Sequence, residues 1–329
     1  MLPKFSYVRP ENIDDVLAHL KERGAVVHAG GTDLLGCLRE RIIDGKTLVS
    51  LSALKTLRGI TTEPGGVLQI GALTTITELS EDEGVINRYP GLAAAASEVA
   101  SPQLRNQGTV GGNLCQKPRC WYYRGEFHCR RKGGDTCYAL GGENQFHAIF
   151  GHDYTCAITH PSDTAPVFTA LGAKVHVSGA EGKRSIKVED LHVLPETDPR
   201  RETVLKEDEI ITHIDIPAPG GKMYSSYRKI RARRSWDFAL AGAALALTTD
   251  GPRIAKAAVI LSGAAPVPWR SKAAESEISG RELSDTIITS AAKAAVADAR
   301  PLSKNGYKPA MFQGMLEEEL HKARETIGS

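Results

Sequence analysis

Long apolar runs are missing from this chain of 329 residues. No stretch approaches the roughly 20 apolar residues that a bilayer-crossing helix needs, so no membrane association is expected. Charge of one sign is missing too. Lys and Arg number 41 against 39 Asp and Glu, a formal net charge of +2. The strongly basic face of a nucleic-acid binder is therefore not expected. The start, MLPKFSYVRPENIDD, has no basic segment leading into an apolar one, so no secretory signal is visible. A cytoplasmic, reducing setting follows as the expectation, with carriage across a membrane by a signal-bearing partner subunit left open. Neither G-x-G-x-x-G nor G-x-x-x-x-G-K-[ST] occurs, which removes the Rossmann fingerprint and the P-loop. The tight C-x-x-C pair of common zinc and ferredoxin sites is absent, as are internal repeats and low-complexity tails.

What is present reads as a mixed α and β chain. ENIDDVLAHLKERG carries Ile13, Val16, Leu17 and Leu20 on one helical face, with Gly24 as a stop. AVVHAGG and TLVSLS read as short buried strands. In GGVLQIGALTTITELS a strand turns into a helix, with Thr74 or Thr75 as its N-cap. GLAAAASEVA is a small-residue helix, and AKVHVSGAEGKRSIKVEDL reads as a hairpin turning at GAEGK. Periodicity vanishes from 101 to about 165. A loop of that length inside a compact domain points to function. From about 221 strand-like runs come first and helices last, which suggests a separate α+β unit. The division expected is 1–57, 58–220 with an insertion at 115–160, and 221–329.

Two glycine turns carry the first chemistry. VVHAGGTDLL ends a strand in Gly30-Gly31, and GTVGGNL repeats the device at Gly111-Gly112. Paired glycines allow backbone N–H groups to approach an anion closely. With HPSDTAP further on, these stretches resemble, in order and spacing, the FAD-binding medium subunit of the molybdenum hydroxylases, the xanthine dehydrogenase and carbon monoxide dehydrogenase family. YRKIRARRSWDFALAGAALAL is similar to that family's flavoprotein C-terminal domain. The resemblance covers nearly the whole chain. It implies an α+β fold: a two-part FAD-binding domain of the PCMH type, then a smaller C-terminal domain. It further implies that Ala29, Gly30, Gly31, Thr32, Asp33, Leu34 and Leu35 wrap the FAD pyrophosphate. Ser101, Thr109, Gly111, Gly112 and Asn113 would line the other side. Asp163 would contact a sugar or ribityl hydroxyl, its other reading being an N-cap of the helix that follows. Lys229 would lie near the flavin. Asp237 receives no role.

Cysteine is the second signal. About forty-five residues separate the second glycine turn from HPSD, and they hold Cys120, Cys129, Cys137 and Cys156. Such an insertion is similar to that of a subgroup, the middle subunits of hydroxybenzoyl-coenzyme A reductase and of periplasmic bacterial aldehyde oxidoreductases. The resemblance implies a [4Fe–4S] cluster on those four cysteines. By chemistry alone, four thiolates from a loop can hold iron–sulfur or zinc. Their spacings of nine, eight and nineteen residues choose neither. A mixed site with His128, His147, His152 or His160 and a set of free thiols both stay open. Arg119, Arg130, Arg131 and Lys132 are expected to offset cluster charge. Gly125, Gly133 and Gly134 would let the backbone wrap it, and Trp121, Tyr122 and Tyr123 would shield it. Cys37 reads as core and Cys115 as a small filler near the cofactor.

No plant-type C-x₄-C-x₂-C run and no feature of a pterin-binding subunit is present. The implied role is therefore electron transfer beside a molybdenum-cofactor large subunit and a [2Fe–2S] small subunit, with an external electron donor or acceptor and no catalytic residue here. Two other readings stand beside it: a self-contained FAD oxidoreductase with its own substrate pocket, and a zinc-binding scaffold module.

Overall fold

Twelve strands fall into three sheets in the computed structural model, which describes residues 1–328. The first sheet is small and parallel. β1 (Ser6–Val8), β2 (Ala25–His28) and β3 (Thr47–Ser50) pair in the order β1-β3-β2. The helix Ile13–Leu20 joins the first two. Its start is set locally: the Asn12 side chain accepts the Asp15 N–H at 2.9 Å, and Asp14 and Asp15 sit in the positive first turn. Val16, Leu17 and Leu20 pack on Val49, Leu51, Leu54 and Leu57.

The second sheet is antiparallel: β4 (Ile60–Thr62), β5 (Leu68–Gly71), β6 (Lys174–Gly179), β7 (Gly182–Lys187) and β8 (Ile210–Ile216), in the order β4-β5-β8-β6-β7. The hairpin expected at GAEGK is β6–β7, closed by the Gly179–Gly182 pair. Of the two candidate caps, Thr75 holds the helix Ile76–Glu81 in a capping box with Glu78. Thr74 instead bonds Gly59.

The third sheet holds β9 (Met223–Ile230), β10 (Ala241–Asp250), β11 (Arg253–Ser262) and β12 (Trp269–Arg270), in the order β12-β11-β10-β9. β10 begins at Ala241, after a loop at residues 231–240. Its apolar run is explained by burial on both faces. Ala244 and Ala246 join the core beneath the second sheet, whereas Leu245 and Leu247 join the helices Lys272–Ile278, Asp285–Ala294 and Lys308–Gly328.

The insertion has only short helical turns, Trp121–Arg124, Arg130–Lys132 and Tyr138–Gly141. It is nonetheless anchored. Ile149 and Phe150 donate to Ala264 O, Asn305 donates to His147 O at 3.0 Å, and buried Lys308 donates to Phe146 O at 3.3 Å. No helix among the described residues is long and apolar enough to cross a membrane.

Candidate functional site

β2 runs straight into the Gly30-Gly31 turn at the wall of a cleft of about 940 Å³. That volume falls within the roughly 300–1,000 Å³ of small-molecule sites. Gly31 has φ +72°, which favours glycine. A Cβ on Gly30 would lie 1.9 Å from Gln107 O, so the first turn abuts the backbone just before the second. Among the described residues, the N–H groups of Gly30, Gly31, Thr32, Asp33 and Leu34 donate to no protein acceptor. This is a run of free donors of the kind that receives an anion. The second turn lines the same cleft through Thr109, Gly111, Gly112 and Asn113, but its donors are spent. Val110 N–H donates to Thr74 O, Gly111 N–H to Ala72 O, Gly112 N–H to Thr109 Oγ1 and Asn113 N–H to Thr109 O.

Asp163 lies at the floor of the cleft, 4 % exposed. Its Oδ1 accepts from Tyr227 OH at 2.7 Å and its Oδ2 from Lys229 Nζ at 2.8 Å. Burial pushes its carboxyl above the ordinary range, and the Lys229 ammonium works against that. Asp163 stands at the N-cap position of the helix Thr164–Ala170, but its side chain makes no capping bond. Ser162 Oγ takes that part, accepting Ala165 N–H at 3.0 Å. At the mouth, Trp236 (φ +55°) donates its N–H to Ala100 O, and Ala100 has φ +45°. Two strained residues thus hold each other beside the opening.

Cys120, Cys129, Cys137 and Cys156 converge on one cavity, with Tyr122, Tyr123, Arg130, Arg131 and His147 in its lining. Gly134 is required here, since a Cβ would meet His128 O at 2.1 Å. A tetrahedral zinc would hold its thiolates about 3.8 Å apart, from its Zn–S distance of about 2.3 Å. Among the described residues, no three of these thiols lie within 4.8 Å of one another. The set is more open than a single tetrahedral zinc ion requires. The thiols differ. Burial pushes Cys120 up to about 11, while a hydrogen bond from Cys156 draws Cys137 down to about 6 and drives Cys156 up. His147 Nε2 sits 3.3 Å from Cys120 Sγ, and burial lowers its ring to about 4. His152 faces Arg300 O and His160 packs on His192, so neither joins the cavity, nor does His128.

Cavity and cleft share a wall. Arg131 lines the cavity and pairs with Glu202, which lines the cleft, through an Nε–Oε1 contact of 3.1 Å. Lys117 Nζ bonds the same carboxylate. The run from Cys156 to Pro161 leads from one site to the other, a span of at most about 18 Å. The insertion also grips the first glycine turn. Asp33 accepts the Lys117 N–H at 2.7 Å, Arg124 Nη2 at 2.8 Å and Arg119 Nη1.

The comparisons with known proteins agree with this geometry. The profile of the FAD binding domain in molybdopterin dehydrogenase matches residues 3–219, and that of the CO dehydrogenase flavoprotein C-terminal domain matches residues 225–323. The chain belongs to the FAD-binding subunits of the molybdopterin dehydrogenases. It is 36% identical over 327 residues to the aldehyde oxidoreductase FAD-binding subunit PaoB of Escherichia coli, covering 97% of this chain and 98% of that one. It is 26% identical over 328 residues to the carbon monoxide dehydrogenase medium chain of Hydrogenophaga pseudoflava, covering 98% and 97% of the two. A solved carbon monoxide dehydrogenase from Hydrogenophaga pseudoflava superposes with a TM-score of 0.77 at 25% identity, covering 98% of this chain and 99% of that one.

In this FAD-binding subunit most residues expected at the cofactor do line the cleft: Ala29 to Leu34, Thr109, Gly111, Gly112, Asn113 and Asp163. Three do not. Leu35 lies one helical step beyond Leu34, in the helix Leu34–Arg39. Ser101 spends its hydroxyl as the cap of Pro102–Arg105, accepting Leu104 N–H at 3.5 Å. Lys229, its side chain 1% exposed, stands behind Asp163 rather than in the cleft. The cations differ as well. Arg130 and Arg131 line the cavity, but Arg119 goes to Asp33 and Lys132 to Gly125 O. Trp121 is 37% exposed and packs edge-on against Tyr122, while Tyr122 and Tyr123 line the cavity. Cys37 is buried, and Cys115 lines the cleft. Lys117, Glu202, Trp236 and Phe238 also line the cleft and were given no role from sequence. Only the cluster of charge and aromatics in RRSWDF offered a signal for the last two.

Proposed function

We propose that this chain is the flavin and iron–sulfur subunit of a heteromeric molybdenum hydroxylase. FAD would lie in the cleft and a [4Fe–4S] cluster on Cys120, Cys129, Cys137 and Cys156. Four thiols around one cavity, with Arg131 of its lining paired to Glu202 of the cleft, support this reading above all. FAD exchanges electrons singly or in pairs and a cluster passes them singly, which lets the pair link a two-electron reaction to a one-electron chain. The protein's own part is positioning. The free N–H groups of Gly30 to Leu34 receive the pyrophosphate. Lys229 and Tyr227 hold the Asp163 carboxylate still, so that its remaining lone pairs accept from a sugar or ribityl hydroxyl. Tyr122 and Tyr123 cover the thiols and limit water.

The division 1–57, 58–220 and 221–329, with the insertion at 115–160, fits the three sheets. A molybdenum-cofactor large subunit and a [2Fe–2S] small subunit would complete the enzyme, and an external electron carrier would meet the flavin. A reducing compartment suits six free cysteines.

Anaerobically purified protein should show flavin bands over a broad iron–sulfur shoulder. Flavin without iron would end the cluster assignment. Cys129→Ser should lose the iron and keep the FAD, because the donors to Asp33 lie at 117–124, before that cysteine. Iron assay and flavin fluorescence after heat release give the two numbers.

A further inference from the structure

We infer that His176, His213 and Asp215 form a site for a divalent transition-metal cation of the zinc class, on one face of the second sheet. Register builds it. His176 on β6 pairs directly across from His213 on β8. Asp215 stands two residues on, hence on the same face. Among the described residues this is the one group of three His, Cys, Asp or Glu whose ligating atoms all lie within 4.8 Å of one another. None of the three lines the cleft or the cysteine cavity, so the site is separate from both and does not rest on the flavin reading.

The hydrogen bonds set the donor atoms. β8 carries one extra residue opposite His176 and Val177: Ile211 pairs with Val177 and His213 with His176, which leaves Thr212 as a bulge. Thr212 donates its single hydroxyl proton to His176 O at 3.1 Å. Toward His213 Nδ1, 2.9 Å away, that oxygen can therefore only accept. Nδ1 carries the proton and Nε2 is left with a bare lone pair. An outer partner of this kind is what orients a metal-binding histidine. Across the strand, His176 Nε2 is 2.9 Å from Asp215 Oδ2 and yet has no hydrogen-bond partner. His213 Nε2 lies 3.9 Å from Asp215 Oδ1, which accepts from Gln69 Nε2 at 3.3 Å.

Two nitrogens and a carboxylate thus meet with no donor aligned between them, an arrangement that a cation resolves. Metal–nitrogen and metal–oxygen bonds of about 2.0–2.2 Å put two ligands of one ion about 3.0 Å apart at octahedral angles and about 3.4 Å apart at tetrahedral ones. The 2.9 Å separation of His176 Nε2 and Asp215 Oδ2 matches the octahedral spacing. Imidazole with one carboxylate suits zinc, copper(II) and nickel rather than calcium or magnesium. With three protein ligands the remaining positions are open to water. Ile210 and Ile211, at the start of β8, line the cleft, so an ion that clips β8 to β6 steadies that wall.

The test is calorimetric titration of the purified full chain with zinc chloride, alongside His213→Gln and Asp215→Asn. All three proteins keep the cysteines, so zinc taken by thiols is common to them. The wild type should bind one more equivalent than either variant, and zinc should raise the melting temperature of the wild type more than that of either variant. Thr212→Val should weaken that extra site about tenfold and Thr212→Ser should restore it. Equal zinc uptake by the wild type and both ligand variants overturns the inference. An extra site indifferent to Thr212→Val overturns the assigned tautomer.

Discussion

Gly30-Gly31 and Gly111-Gly112 look alike in sequence and behave differently in the fold. Each is followed by a polar residue, and both line one cleft. The first leaves five consecutive N–H groups without a protein acceptor. The second gives its N–H groups to Thr74, Ala72 and Thr109. A glycine pair therefore does not make an anion site by itself. It permits close backbone approach, and the neighbours decide whether the approach serves a ligand or the protein's own packing. The first turn is held from outside by insertion donors on Asp33, whereas the second is closed by its own Thr109 together with Ala72 and Thr74.

Gly30→Ala is the strongest way to break this contrast. The new Cβ would meet Gln107 O at 1.9 Å and must push the turns apart. We expect a loss of about 3 kcal/mol or more and no retained FAD, read by thermal unfolding and flavin content. Gly112→Ala meets only Thr109 Oγ1 at 3.0 Å and should be far milder.

Asp33→Asn comes next. Burial pushes the Asp33 carboxyl up, and the Arg119 and Arg124 guanidiniums outweigh burial, holding it below the ordinary carboxylate range. Losing that charge should cost about 2 kcal/mol and weaken FAD about tenfold, with the iron kept. The sign of the pH dependence follows from the lowered value. The contribution of Asp33 is complete above the unfolded value of about 3.9 and is lost as pH falls through the folded one. The stability gap between wild type and Asp33→Asn should thus be widest near neutral pH and shrink in acid, as urea unfolding at several pH values would show. A constant gap would mean that the charge is not what Asp33 contributes.

Thr109→Ala has the smallest expected effect. It removes the acceptor of Gly112 N–H and should cost about 1 kcal/mol of stability. FAD affinity should stay within about twofold, because no donor of the second turn is aimed at the ligand. A large loss of FAD affinity at unchanged stability would erase the difference between the turns.

Much of the scaffold was legible because its causes are local. Asn12 caps the helix Ile13–Leu20, Thr75 with Glu78 caps Ile76–Glu81, and the Gly179–Gly182 hairpin closes where the turn residues stand. The convergence of the four cysteines was legible through resemblance rather than spacing. The partners of Asp33 and Glu202 were not legible. Arg119 is expected at the cluster, Lys117 carries no signal, and nothing near Glu202 in PRRETVL marks it as the residue that Arg131 will meet. Lys229 was read beside the flavin, but it faces Asp163.

Sequence alone determined the periodic strands and helices, their caps and turns, and the family, since each of these depends on residue types a few positions apart or on motifs in order. Tertiary structure decided which backbone donors stay free, which carboxylates gather cations, and that Arg131 at the thiols pairs with Glu202 at the cleft. Those outcomes join positions tens of residues apart, such as 33 with 124, 131 with 202 and 163 with 229. Only the packing of the sheets against the insertion brings such positions within hydrogen-bonding reach.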